Sequence, residues 1–205
     1  MMAYKFLGGG RVGPFSGYRW PEPGVWVRTA FDPAPCRSGI HACRIRDLPW
    51  WLGEELWLVE LEGELHYEEH KIVAPAGRLH SRIDPWTAAC AEEYAHACAW
   101  RTRDHALQTL TGAGHADNAS ELAHCATLDE LLTVSRRLAH DVPDTRISLT
   151  IAGDGAVRAL SAAAPTTAYI AAHAALRVGG QAAYAAERAW QSRWLVERLE
   201  LPSAA

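Results

Sequence analysis

Lysine is nearly absent from this 205-residue chain: of its 20 basic residues only Lys5 and Lys71 are lysines. With abundant alanine, that bias looks like the product of a GC-rich genome, and by itself it specifies no function. No run of about eighteen apolar residues occurs, which excludes a membrane-spanning helix. A secretion signal would need a basic region and then an apolar core, and Gly8, Gly9 and Gly10 interrupt that pattern. The expected compartment is the cytoplasm. Cysteine is sparse too: five residues, an odd number and widely spread, do not read as a disulfide framework. Nor is there an excess of positive charge. The formal net charge is −4, with ten basic and ten acidic residues in 1–83 and ten against fourteen in 84–205. A nucleic-acid binder would carry a basic footprint, so no nucleic-acid partner is expected.

What is present is apolar and aromatic. Hydrophobic residues make up 49% and charged residues 21%, a globular balance for a chain long enough to bury a core. Nine Trp stand against three Phe, so large rings with one polar donor each dominate the aromatic surface. Such rings suit a core with polar rims, or a ligand groove.

The pattern changes once along the chain. Residues 1–83 are rich in Gly, Pro and aromatics with short apolar runs; Tyr4-Lys5-Phe6-Leu7 reads as a first strand. Six Gly and three Pro in 8–24 make a chain of turns, followed by an edge strand at Val25-Trp26-Val27. Residues 47–52 read as one helical turn. Trp57, Val59 and Leu61 alternate with Leu58, Glu60 and Glu62, the period-two signature of a half-buried strand. Two more short strands complete a small, mostly antiparallel sheet. Asp84-Pro85 then opens a helical region, since Asp caps and Pro tolerates the first helical position. Helices are expected to about Leu110, from Ser120, from the capping box Thr127-Leu-Asp-Glu130, over 167–178, and over 181–199 after Gly179-Gly180. Ile147, Leu149 and Ile151 alternate with polar residues, and Asp154-Gly155 is a turn signal, so one β-hairpin is expected there. The fold class is α+β: an N-terminal sheet domain, 1–83, and a mainly helical region with one hairpin, 84–205.

The densest chemistry lies in Cys36-Arg-Ser-Gly-Ile-His-Ala-Cys43. Thiols and imidazoles bind metals or attack electrophiles near neutral pH. His41 and Cys43, two apart on a strand, would share a face and allow a thiol–imidazole pair, whereas buried packing residues are the plainer reading. Zinc would want a fourth ligand that this spacing does not supply, so no metal is assigned. His66-Tyr-Glu-Glu-His70 spells an inverted zinc-protease motif, but its flanks read as a polar hairpin loop. The Glu93/His96 and Glu121/His124 pairs read as solvated helix faces. The loop from Arg11 to Trp20 offers an anion-binding guanidinium and stacking rings at Tyr18 and Trp20, yet lacks any nucleotide fingerprint.

Tyr4-Lys5-Phe6, Gly17-Tyr18, Gly24-Val25-Trp26, the Gly-Ile-His-Ala-Cys core and Val59-Glu60-Leu61-Glu62-Gly63-Glu64 occur in a recognisable order. Over 4–83 the pattern resembles an uncharacterised family of small bacterial and phage domains, in which Phe usually stands at the place of Ile40. That family has no assigned activity, so the resemblance implies a domain and not a reaction. A more distant likeness is to ADP-ribosyltransferase-type folds, which would imply NAD as cofactor, His41 among its contacts, and a strand carboxylate such as Glu60, Glu62 or Glu64 orienting the ribose.

The leading expectation is a binding or accessory protein for a small molecule. Its site would lie between Arg11, Tyr18 and Trp20 of the Gly-aromatic loop and Cys36, His41 and Cys43 of the following strand. The alternative is an NAD-using transferase with His41 and Glu60 as catalytic residues. A third reading is a homo-oligomer joined through Trp190 and Trp194, one turn apart on the last helix. An enzyme would show an NAD-sized cleft with a carboxylate in reach; a binding module would show a pocket without one.

Overall fold

The computed structural model describes residues 1–30, 32–34 and 37–202. The chain divides into two compact units, Met1–Ala88 with Ser192–Ala205, and Ala89–Gln191. The break falls a few residues later than the composition change at Asp84. The C-terminal segment from Ser192 groups with the β-rich unit.

Among the described residues the first unit holds seven antiparallel strands: β1 (Met2–Leu7), β2 (Val27–Arg28), β3 (Ile40–Ala42), β4 (Glu55–Glu62), β5 (His66–Tyr67), β6 (Ile72–Ala74) and β7 (Ala76–Arg82). One sheet runs β1-β4-β7-β2 and the other β3-β6-β5. In β4 the expected alternation holds: Trp57, Val59 and Leu61 are buried, while Leu58 and Glu60 are half-buried and Glu62 is exposed. Val27 and Arg28 form the edge strand, and a 3-10 turn spans Ile45–Trp50. Ser192 of the returning C-terminal segment donates to the Ile45 carbonyl at 3.0 Å.

Among the described residues the two sheets are bridged between Tyr4, on β1, and Cys43, just past β3. Tyr4 and Cys43 exchange backbone hydrogen bonds of 2.9 and 2.7 Å, and beyond it Ile40, His41 and Ala42 pair with β6. The sheet is therefore split alongside Lys5 and Phe6.

The second unit is helical: α1 (Ala88–Gly112), α2 (Ala116–Ala123), α3 (Leu128–Asp141), α4 (Arg146–Leu160) and α5 (Ala164–Arg198). Thr127 and Glu130 form the expected capping box at the start of α3. Helix α5 is interrupted at Gly179 and Gly180, where the backbone leaves helical angles. No helix among the described residues is long and apolar enough to cross a membrane.

The expected hairpin at 147–160 is overturned, because that segment is α4. Its inward face is Leu149, Ala152, Ala156 and Ala159, a helical spacing written mostly in alanine, whereas Ile147 is 55% exposed. Gly155 is no turn residue there. A Cβ on it would lie 2.6 Å from Thr102 Oγ1, so glycine serves the close approach of α1 and α4.

A cationic, aromatic cleft where the sheet splits

The split between β1 and β3 opens into a cleft of about 820 Å³. Lys5 and Phe6 line it on one side and Ile40, His41, Ala42 and Cys43 on the other, with the Gly-aromatic loop adding Phe15, Tyr18 and Trp20. The volume lies in the range of small-molecule sites, roughly 300–1,000 Å³.

The loop holds its shape through carboxylates that sequence reasoning did not single out. Glu55 accepts from the backbone N–H groups of Gly10 and Arg11 at 2.9 and 3.2 Å, and from Trp57 Nε1 at 3.0 Å. Burial opposes ionisation of Glu55, but these donors outweigh it and hold the carboxyl below its ordinary pKa. Glu54 accepts from Gly9 at 3.0 Å. The glycine-rich amides that could have cradled a phosphate are thus engaged by the protein's own carboxylates.

Arg11 is engaged as well. Its guanidinium grips Glu22 at 2.9 and 2.5 Å, and it does not line the cleft. Tyr18 and Trp20 do line it, with ring centroids 6.2 Å apart in an edge contact. Phe15, not singled out from the sequence, meets Trp51 edge-on at 6.4 Å. Phe15 is 89% exposed and Tyr18 48% exposed, so both rings stand at the mouth with faces to offer.

His41 and Cys43 both line the cleft. Gly39 aims their strand: its φ is +110°, and a Cβ would lie 2.6 Å from Val73 Cγ1. His41 Nδ1 lies 3.1 Å from the Gly39 carbonyl, so in the neutral ring Nδ1 carries the hydrogen and Nε2 is the basic nitrogen. Burial, then the charge of Lys5, hold His41 below its ordinary pKa. Cys43 is buried, which pushes its thiol far above the ordinary range and leaves it a poor nucleophile. Cys36 lies outside the described residues.

Charge in the cleft is one-sided. Lys5, Arg28, Arg37 and Lys71 line it, and no Asp or Glu does among the described residues. Glu60 is on β4, bound by Arg78 at 2.8 and 2.7 Å; Glu62 meets Arg28 at 3.1 Å outside the cleft lining.

The other constellations stay apart. His70 sits in the turn between β5 and β6, stacked on Trp50 at 4.0 Å and 3.4 Å from Asp47. Glu121 pairs with Arg137, and His124 Nδ1 lies 2.6 Å from the Ser120 carbonyl. No three His, Cys, Asp or Glu among the described residues converge as metal ligands would. Trp190 and Trp194 are half-buried rather than an exposed patch, and the Arg101 guanidinium covers Trp190 at 4.8 Å. No protein-family model, curated protein or solved structure matches the chain.

Proposed function

We propose that the chain is a small-molecule-binding protein whose ligand is flat and carries an anionic group, held where the β-sheet splits. One observation carries this reading: a cleft of about 820 Å³ lined by four cationic side chains and six aromatic rings, with no carboxylate among the described residues. Cations lining a cleft that no carboxylate lines raise the local concentration of anions, and exposed ring faces stack flat molecules.

Cleft size also favours the transferase reading, since NAD would fit. Against it, Glu60 is bound by Arg78, and neither Glu62 nor Glu64 lines the cleft. Among the described residues, no carboxylate therefore stands ready to orient a sugar.

A thermal-shift comparison of nucleosides with their phosphates and NAD tests both. The binding reading expects stabilisation by the phosphorylated members, weakened by salt and lost in Tyr18→Ala and Arg37→Ala, two exposed positions that leave the core intact. Equal response to nucleosides and nucleotides, or none to either, overturns it. Nicotinamide release from NAD would instead bring the transferase forward.

A further inference from the structure

A chain with two lysines places both in the same cleft. The distinction from arginine is chemical. A guanidinium stays protonated, whereas an ammonium can shed its proton and become a nucleophile. Lys5 is half-buried on β1, its Nζ donating to the His41 carbonyl at 2.5 Å and lying 5.4 Å from the Trp20 ring centroid. No carboxylate pairs with it among the described residues. A carbonyl and a ring face replace water poorly around a charge. Burial accordingly draws the Lys5 amine down to about 8, opposed only in part by Cys43. The groups around it are His41, which feels both Lys5 and Lys71, and the buried Cys43 thiol.

We propose that Lys5 is a carbonyl-capturing amine, which condenses with an aldehyde or ketone of a flat, anionic ligand to hold it as an imine in the cleft. The Nζ lone pair attacks the carbonyl carbon while the C=O π pair moves to oxygen. Protons then move from nitrogen to that oxygen, which departs as water and leaves C=N. One amine and one carbonyl give one imine and one water, with no change in oxidation state. The step uses the cleft of the proposed function but does not depend on nucleotides being its ligand.

Pyridoxal 5′-phosphate, a flat aldehyde bearing an anion, is the probe. The full chain is incubated with it and reduced with borohydride, and the adduct is mapped by fragment ions among Lys5, Lys71 and the Met1 amine. Lys5 should carry about tenfold more adduct than Lys71 near neutral pH, because its lowered amine is unprotonated more often than an ordinary lysine and that outweighs its lower basicity. Its labelling should rise through a midpoint near 8. Lys5→Arg should remove the Lys5 adduct while keeping the positive charge. Adduct chiefly on Lys71 or Met1, or a midpoint at the ordinary lysine value of about 10.4, overturns the proposal. Nucleotide stabilisation without a Lys5 adduct leaves the binding reading standing alone; a Lys5 adduct without nucleotide stabilisation does the reverse.

Discussion

The buried cluster of the helical unit and the cleft of the β-rich unit treat charge in opposite ways. In the helical unit Glu187, 1% exposed, accepts from Arg101 at 2.9 and 2.7 Å and meets His105 at 3.3 Å. Gln191 closes the cluster, accepting from Arg188 at 3.0 Å and donating to the Ala168 carbonyl at 2.9 Å. Each charge in this cluster has a protein partner there. The cleft in the β-rich unit gathers four cationic side chains and, among the described residues, no carboxylate lines it. A closed polar cluster serves the fold, whereas an open one is fit to hold a guest.

Removing the centre of the closed cluster should have the largest effect on stability. Glu187→Ala leaves Arg101 and His105 without their carboxylate, and breaking such a buried pair costs about 3–5 kcal/mol. The melting temperature should fall accordingly. Burial opposes ionisation of Glu187, but hydrogen bonds from His105 and Arg101 outweigh it and hold the pKa below its ordinary value. A lowered folded pKa means the contribution is complete above the unfolded carboxyl value, about 4.3, and is lost as pH falls through the folded one. Denaturation curves should show that acid-side loss in the native chain and a smaller one in Glu187→Gln. A variant as stable as the native chain would erase the contrast drawn between the units.

Gly39→Ala should have an intermediate effect and strike both fold and site. At φ +110° an added Cβ is strained, and it would press on Val73 Cγ1 at 2.6 Å and the Ala74 carbonyl at 3.2 Å. Such strain costs on the order of 1–3 kcal/mol. Because Gly39 immediately precedes β3, ligand-induced stabilisation should drop along with the melting temperature. Loss of stability with full ligand response would show that the cleft does not depend on how β3 is aimed.

How much of this was legible in the sequence follows from where the information lies. The alternation at Trp57, Val59 and Leu61, the capping box at Thr127 and the break at Gly179-Gly180 are local signals, and each survives in the structure. Helix α4 was hidden because its buried face is mostly alanine, while its bulkier residues happen to alternate. The cleft was only partly visible. Tyr18, Trp20, His41 and Cys43 belong to segments rich in chemistry, so composition marks them. Lys5 looks like an ordinary strand residue until one bridge, Tyr4 to Cys43, shows that β1 borders a split. The partners of Arg11 and Glu60, namely Glu22 and Arg78, are fixed by tertiary pairing that no local pattern announces.

The smallest stability effect should come from Phe15→Ser. At 89% exposed, the ring buries little, and surface changes of this kind usually move stability by less than about 0.5 kcal/mol. Yet Phe15 stands at the cleft mouth beside Trp51, where its face is available to a flat ligand. The melting temperature of the free protein should therefore hold while the stabilisation given by a bound aromatic anion shrinks. That separation is the sharpest form of the contrast between the units: in the helical unit side chains hold one another, whereas the 89% exposed Phe15 touches Trp51 only edge-on and keeps its face for a guest. If Phe15→Ser lowers the free protein's stability and leaves ligand stabilisation untouched, the ring belongs to the fold, and the aromatic mouth loses its part in recognition.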